Sequence, residues 1–417
     1  MIKNNKYNAF VLLAVIFTII SLFFGFFFNE DLSTGGSTWD FKHTWPIIEN
    51  YSNLNFIGAP DLTRHMPLHY ILMSLFNSIT HDQFLTRILY LLFSFLFPFF
   101  LYLNITKIYN QNKILIIFFC STIFLLPLLR ASVIWSNAHL TATIFFLIGN
   151  YFYLKSKERN IFLYKSLNLL FLSFAIYSIQ TYLILFLFYL YKYFISHKFN
   201  RFLILFLLSG LFSVPGFFFI FLNPRIASLG SLFTRDFFYT VSTNFSLIFF
   251  FLLFFILNKE NFEIILNEIL SLKWIETLII LIIFFFMIVN SNLFIFDYRL
   301  RGGGFFAKLS YFILSNNYIF IISTFLGLVT SYVVSKYEPK FLYALIIMNL
   351  MSLNFIIYQK YFEPLFLIII ITLYKNFLVN NVLKCFKNTL IFYSLVFLYF
   401  VTAYINYLNK FSYELLG

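Results

Sequence analysis

Acidic, histidine and tryptophan residues are concentrated in residues 29–66, which follow the first apolar run of the chain. An acidic pair that ends in Asp31 opens this segment, and residues 39–45 then bring acid, base and indole groups together. From residue 41 to residue 51, aromatic and aliphatic residues alternate with polar ones, which predicts a short helix in the membrane interface. On a helical turn there, Asp40 and His43 would share a face, because they are three residues apart. A carboxylate held in this way can serve as a general base toward a hydroxyl group. The alternative interpretation is an interfacial anchor with solvated charges, since tryptophan favours the membrane interface.

The end of the same segment carries positive charge. An apolar run at residues 68–79 is too short to span a bilayer comfortably, and Pro67 favours the start of a helix there. We therefore expect a re-entrant or juxtamembrane helix, with Arg64, His65 and His69 crowded at its outer end. Such a pocket would suit an anion, above all phosphate, because arginine matches phosphate oxygens in a bidentate manner. Ordinary snorkelling of polar groups to the lipid headgroups is the alternative.

The rest of the chain indicates the elements that position these groups. Hydrophobic residues make up 61% of the sequence and charged residues only 11%, far from a soluble composition. Apolar runs of roughly 20 residues, the length that crosses a bilayer, recur from end to end. The sequence predicts an all-α, polytopic transmembrane helical bundle of about 11–14 spans, with 13 the central value, and a long first outer loop that carries juxtamembrane helices.

Basic residues give this bundle an orientation. With the N-terminus inside, the inner segments hold 18 of the 29 basic residues but only six of the 16 acids. An excess of Lys and Arg on the cytoplasmic side is typical of membrane proteins. This distribution predicts a cytoplasmic N-terminus and a first loop that faces outward. Nucleic-acid binding is not expected despite the net charge of +13, because no basic patch lies on a soluble face.

The loops indicate a single membrane domain over residues 1–417. Its two longest outer loops are predicted at residues 29–66 and 290–310, and the second contains three consecutive glycines. Cys120 and Cys385 stand far apart in or beside apolar segments, so they indicate neither a metal pair nor a disulfide framework.

Several short motifs in this arrangement resemble the GT-C superfamily, integral membrane glycosyltransferases that take sugars from polyprenyl- or dolichyl-phosphate carriers. Acids follow the first helix, and residues 65–72 (His-Met-Pro-Leu-His-Tyr-Ile-Leu) look like the family segment His-Pro-Pro-Leu-Tyr-Tyr-Leu-Leu. Arg87 stands where that family often has an arginine. Residues 359–365 are similar to the family element Arg-Tyr-Leu-Leu-Pro, with Lys360 in place of the arginine.

The resemblance implies an enzyme that transfers a sugar from a lipid-linked donor to a glycan, glycolipid or protein acceptor. It implies a carboxylate that deprotonates the acceptor hydroxyl, and Asp40 is the first candidate, with Asp31 second. His43 could orient this base, bind the acceptor or help to bind a divalent ion. A metal such as Mg or Mn therefore stays open, with Asp40 and His43 as its ligands if one is used.

The resemblance also implies a cationic clamp on the departing phosphate. A glycine-containing segment with several cations has the character of a lid over such a group. The candidates for the clamp and the lid are Arg64, His65, His69, Arg87, Arg299, Arg301, Lys308 and Lys360.

Two rival interpretations remain. A polysaccharide polymerase or ligase would also use a lipid carrier, but would depend on arginines rather than on an early carboxylate. A transporter or flippase of lipid-linked glycans predicts charged pairs deep in the spans, where the apolar segments have few charges. The favoured interpretation is a multi-pass protein of the bacterial inner membrane with a periplasmic active site and lipid as its surroundings.

Overall fold

A computed structural model describes residues 2–33, 36–54, 65–222, 237–291, 304–352 and 359–416. Side chains are described for all of these except residues 2–6, 359–361 and 410–416. Nearly all the described residues are helical, and none of them lies in a strand. The predicted all-α fold class is therefore confirmed.

Apolar helices of spanning length are frequent. Among the described residues, six helices are long and apolar enough to cross a membrane, and three bent helix pairs raise the number to nine if each pair is one span. The six are Tyr7–Phe27, Gln83–Ile108, Phe199–Leu222, Phe237–Ile256, Tyr318–Tyr337 and Phe386–Asn409. Helices suit the lipid interior of a membrane because each helix satisfies the hydrogen bonds of its own backbone. The chain is a multi-pass membrane protein.

The described chain divides into two compact units. Unit 1 comprises residues 1–107, 120–228 and 397–417, and unit 2 comprises residues 108–119 and 229–396. Both units are helical. This division does not test the prediction of a single membrane domain over residues 1–417, which stays a prediction.

Unit 1 contains α1 to α5, α7 to α11 and the C-terminal part of α20. Two short 3-10 helices, Thr122–Leu125 and Gln180–Tyr182, precede α7 and α10. The helices are α1 (Ile2–Phe27), α2 (Gly36–Ser52), α3 (Leu68–Thr80), α4 (Gln83–Ser94), α5 (Leu96–Ile108), α7 (Pro127–Ile134), α8 (Ala138–Arg159), α9 (Phe162–Ser178), α10 (Leu183–Ser196) and α11 (Phe199–Leu222).

Unit 2 contains the remaining helices. They are α6 (Lys113–Ser121, whose last two residues belong to unit 1), α12 (Phe237–Ile256), α13 (Lys259–Leu270), α14 (Trp274–Asn290), α15 (Gly304–Leu314), α16 (Tyr318–Tyr337), α17 (Phe341–Met351), α18 (Gln359–Thr372), α19 (Phe377–Leu383) and the first part of α20 (Phe386–Leu416). In its interior, Gly327 of α16 lies against the backbone of Phe245 in α12, where any Cβ would collide with the Phe245 carbonyl. Small residues permit this close approach of membrane helices.

The two helices expected in and directly after the first predicted loop are present. The pattern of residues 41–51 predicted a short helix, and α2 covers this stretch. Pro67 precedes the first residue of α3, as its position predicted. These two helices, with the end of α1 and the start of α4, surround the candidate site in unit 1.

Candidate active site

The chain turns sharply at the end of α1. Asn29 adopts a left-handed backbone conformation with φ of 52°, which asparagine tolerates better than most residues. The Glu30 amide then donates to the Gly25 carbonyl at 2.8 Å. This turn directs Glu30 back along α1, and both Glu30 and Asp31 are buried.

Glu30 is paired with an arginine that the sequence did not single out. Arg130 of α7 donates from Nε to Oε1 at 2.5 Å and from Nη2 to Oε2 at 3.1 Å. Its guanidinium also donates to the side chain and carbonyl of Ser21 in α1. The pair is almost fully buried, with the side chains 1% and 5% exposed. A charged group at this depth needs such a partner, since an unpaired charge costs several kcal/mol.

Asp31 has a different set of partners. One carboxylate oxygen accepts from the amide and hydroxyl of Ser33, at 2.9 and 2.5 Å, and the other accepts from the amide and hydroxyl of Thr38, at 2.8 and 2.6 Å. Because a carboxylate has about four acceptor positions, these donors occupy it fully. Asp31 thereby fastens the first turn of α2, and its role as a base stays a prediction.

Asp40 and His43 lie on α2, three residues apart as expected. Asp40 is half-buried and His43 is exposed. The His43 ring stacks on Trp39 with centroids 3.7 Å apart, and Nδ1 lies 2.8 Å from the Trp39 carbonyl. Since a carbonyl only accepts, Nδ1 carries a proton and donates to it.

Arg87 of α4 is buried, and among the described residues its hydrogen bonds and ring contacts are all with neutral groups. Its Nε donates to the Ile134 carbonyl at 3.1 Å and its Nη1 to Oδ1 of Asn29 at 2.9 Å. The guanidinium carbon lies 4.0 Å from the centroid of the Trp135 ring, with Phe26 at 4.9 Å. Within the described part of the chain, Nη2 has no hydrogen-bond partner and no carboxylate forms an ion pair with Arg87. A buried guanidinium in this state lacks a counter-anion.

His69 is buried beneath the start of α8. Its Nδ1 lies 2.9 Å from the Thr141 hydroxyl, and the Tyr90 hydroxyl reaches the same oxygen at 2.9 Å and donates to the Asn137 carbonyl at 2.8 Å. Burial, helped by the charge of His65, lowers the pKa of His69 to about 3. The ring is therefore neutral near pH 7 and would offer a phosphate hydrogen bonding at most.

His65 lies closer to the surface than His69. It is half-buried, and its ring packs edge-on against His139 of α8 with centroids 5.5 Å apart. The structure thus places His65, His69 and Arg87 in unit 1, together with Asp31, Asp40 and His43. Every candidate site residue that was predicted in residues 29–66 and has a described side chain is therefore in unit 1.

Five further cations were predicted for the clamp and the lid. Arg64, Arg299 and Arg301 lie outside the described residues, and so does the side chain of Lys360, although its backbone is in α18. Lys308 is in α15 of unit 2. Their roles in phosphate binding stay predictions.

A metal site was left open for Asp40 and His43. Among the described residues, no group of three or more His, Cys, Asp or Glu side chains is arranged to hold a metal ion. A metal bound at Asp40 and His43 therefore stays a prediction.

Sequence reasoning missed Arg130, Trp135 and His139. Arg130 had a signal, because it is an isolated cation in the apolar stretch 123–134. Trp135 and His139 had none, since only the packing of the turn between α7 and α8 places them beside Arg87 and His65. A scan against protein-family models and searches of curated proteins and of solved structures returned no match to this chain.

Proposed function

We propose that this protein is a membrane glycosyltransferase of the GT-C type. It moves a sugar from a polyprenyl-phosphate-linked donor to a glycan, glycolipid or protein acceptor at the outer face of a bacterial inner membrane. The site is the part of unit 1 formed by the end of α1, α2, α4 and the turn between α7 and α8.

The buried guanidinium of Arg87, which has no acidic partner among the described residues, carries this proposal. It is 5% exposed, its aromatic neighbours provide no negative charge, and its Nη2 has no hydrogen-bond partner in the described chain. Burying such a group without an anion is unfavourable, so the site is poised to gain one. The phosphate of a lipid carrier supplies the missing charge, and a guanidinium binds it with two parallel hydrogen bonds.

Carboxylates stand close to this cation in the fold. Asn29, which accepts from Arg87, is directly followed by Glu30 and Asp31. Both of these are engaged, by Arg130 and by the start of α2. Asp40 is the acid that sequence and resemblance favour as the base.

The proposed reaction needs two groups from this chain. The acceptor oxygen attacks the anomeric carbon, its proton passes to the Asp40 carboxylate, and the bond from that carbon to the phosphate oxygen breaks. Both electrons of the broken bond stay with the departing polyprenyl phosphate, whose charge Arg87 stabilises. General-base help of this kind contributes about 10² to 10⁴ in rate.

Charge supports the orientation that this proposal requires. Residues Gln83–Ile108 form one apolar span, with Arg87 near its start and Lys107 at its end. Lys107 pairs with Glu158 near the end of α8, a helix that has His139 near its start. Most of the Lys and Arg side chains described in unit 1 lie toward the Lys107 end, which favours a cytoplasmic position for it. The cluster around Arg87 then faces the periplasm.

The experiment compares membrane vesicles that contain wild type, Asp40→Asn and Glu49→Gln. A panel of radiolabelled polyprenyl-phosphate hexoses and pentoses is supplied, and the release of polyprenyl phosphate is measured. We expect Asp40→Asn to lower donor cleavage at least about 10²-fold. Glu49 is an exposed acid on the same helix, so Glu49→Gln is the matched control and should keep wild-type activity.

Other outcomes favour the rivals. Full activity in Asp40→Asn combined with a loss in Arg87→Gln would favour the polymerase or ligase. Movement of intact lipid-linked sugar across the vesicle membrane without cleavage would favour a flippase.

A further inference from the structure

A second buried cation lies at the other end of unit 1. Lys165 of α9 is 5% exposed, and its Nζ lies 2.6 Å from Oδ1 of Asn160 and 2.6 Å from Nε2 of His197. Both partners are neutral acceptors in this arrangement. Among the described residues, hydrogen bonds therefore solvate the positive charge of Lys165, but no acid neutralises it.

The protonation of His197 follows from its own contacts. Its Nδ1 lies 3.2 Å from the Tyr193 carbonyl, which can only accept, so Nδ1 carries the proton and Nε2 accepts from Lys165. Burial and the charge of Lys165 lower the pKa of His197, and Arg201 acts in the same direction. The pair thus has one positive charge, and a second cation is near enough to affect it.

Few acids are available to balance these charges. Residues 155–201 contain seven Lys or Arg residues and a single acid, Glu158. That acid is already bonded to Lys107 at 2.7 and 2.9 Å. Among the described residues no carboxylate forms an ion pair with Lys165 or Arg201.

The surface next to Lys165 and His197 combines polar and large apolar groups. Lys198 and Arg201 at the start of α11 are exposed, and the starts of α9 and α11 and the end of α10 also expose large apolar side chains. They are Phe162, Leu163, Phe194, Ile195 and Phe199, which are 46% to 67% exposed. A ligand at this place therefore meets positive charge on one side and an apolar, lipid-facing surface on the other.

We propose that Lys165, His197 and Arg201 form a binding site for a phosphate-bearing anion, and that its natural ligand is the headgroup of an anionic phospholipid. The phosphate supplies the missing counter-charge to Lys165, and the acyl chains cover the exposed aromatic and aliphatic residues. Basic groups beside the ends of membrane helices bind anionic headgroups in this way. The site is separate from the proposed transfer site and does not depend on the proposed function.

The test uses the purified full-length protein in a neutral detergent. Dihexanoyl phosphatidylglycerol, dihexanoyl phosphatidylcholine and inorganic phosphate are titrated separately by calorimetry, into wild type, Lys165→Gln, Arg201→Gln and Lys107→Gln. Lys107→Gln is the matched control, because it removes one charge at the same end of the unit from a residue that already has an acid partner.

We expect phosphatidylglycerol to bind wild type and phosphatidylcholine not to bind. A charge-assisted hydrogen bond contributes about 1.5 to 3 kcal/mol, so Lys165→Gln and Arg201→Gln should each weaken binding about tenfold or more. Lys107→Gln should stay within about twofold of wild type. Arg201 is exposed, so its variant keeps the test valid if Lys165→Gln fails to fold.

Three results would overturn the proposal. Absence of phosphatidylglycerol binding removes the site. Equal losses in all three variants indicate diffuse attraction without a site. Tight binding of inorganic phosphate, undiminished in the presence of the lipid and lost in the same variants, assigns the site to a soluble phosphate instead of a headgroup.

Discussion

Glu30 and Arg130 form a bidentate ion pair that connects the turn after α1 to α7, although 100 residues separate them in the chain. Both side chains are buried, and Arg130 also holds Ser21 of α1. The Glu30 carbonyl accepts from Nε1 of Trp135 at 2.9 Å, and the ring of Trp135 stacks on Arg87. The ion pair therefore fixes the turn that positions Arg87, the candidate phosphate-binding residue.

Removal of one partner of this pair should destabilise the protein strongly. Arg130→Met leaves the Glu30 carboxylate buried without a partner, which costs about 3 to 5 kcal/mol. The double variant Glu30→Gln, Arg130→Met should recover much of that loss, because no charge is left unpaired. Thermal unfolding in detergent measures both. Lys107→Met is the matched control, because the pair with Glu158 is substantially exposed and is worth about 1 kcal/mol or less.

A methyl group at position 25 should disturb the same pair. A Cβ on Gly25 would lie 2.7 Å from Oε2 of Glu30 and would also collide with Nη2 of Arg130. We expect Gly25→Ala to cost about 1 to 3 kcal/mol of stability, as overpacking usually does. No described residue lies within 4 Å of the position that a Cβ on Gly210 of α11 would occupy, so Gly210→Ala should be neutral or slightly stabilising. Equal melting temperatures for the two variants would contradict the geometry.

Asp31 should control the order of α2 more than an ordinary cap does. Asp31→Ala leaves the four donors of Ser33 and Thr38 without their acceptor, whereas Asp82→Ala at the start of α4 loses one bond to Leu85. A single cap is worth about 1 kcal/mol, so the first variant should lose more than this and the second about this amount. Hydrogen exchange of the α2 amides should accelerate only in Asp31→Ala. Unchanged exchange in α2 would show that other contacts hold the helix.

His69 should make stability depend on pH. Its pKa in the folded state is lowered by burial from 6.5 to about 3, so between these values the unfolded chain binds a proton that the folded chain does not. The stability that comes from keeping His69 neutral in the folded state is therefore fully present above pH 6.5. Below that value, the free energy of unfolding falls by up to about 1.4 kcal/mol per pH unit as the pH decreases toward 3. His69→Gln should therefore show a shallower decline over this range when unfolding is followed against pH.

A matched variant separates the titration from packing. Thr141→Val removes the hydroxyl that contacts His69 but keeps the imidazole. It should lower stability at every pH and retain the wild-type slope. If His69→Gln and wild type lose stability in parallel, His69 does not carry the pH dependence.

Local sequence patterns predicted the elements of the site better than the contacts between them. The helix at residues 41–51 and the helix start at Pro67 were foreseen, because indole and aliphatic spacing and proline at a first turn act locally. The partner of Glu30 was not foreseen, since only tertiary packing decides which of several cations reaches it. His69 was expected beside an anion at the outer end of α3. The structure places it beneath Thr141, because the start of α8 covers that face of the helix.

The planar guanidinium of Arg87 should matter for phosphate binding beyond its positive charge. A lysine at position 87 keeps the charge but lacks the planar guanidinium. That group donates to both Ile134 and Asn29 and stacks on Trp135. Under the proposed function, Arg87→Lys should weaken the binding of polyprenyl phosphate about tenfold, and Arg87→Gln should weaken it further. Calorimetry of the detergent-solubilised variants with polyprenyl phosphate measures both. Arg159→Lys, on an exposed residue at the other end of α8, should bind like wild type. If all three variants bind equally, the Arg87 guanidinium is not the phosphate site, and the lipid carrier must be held by other cations.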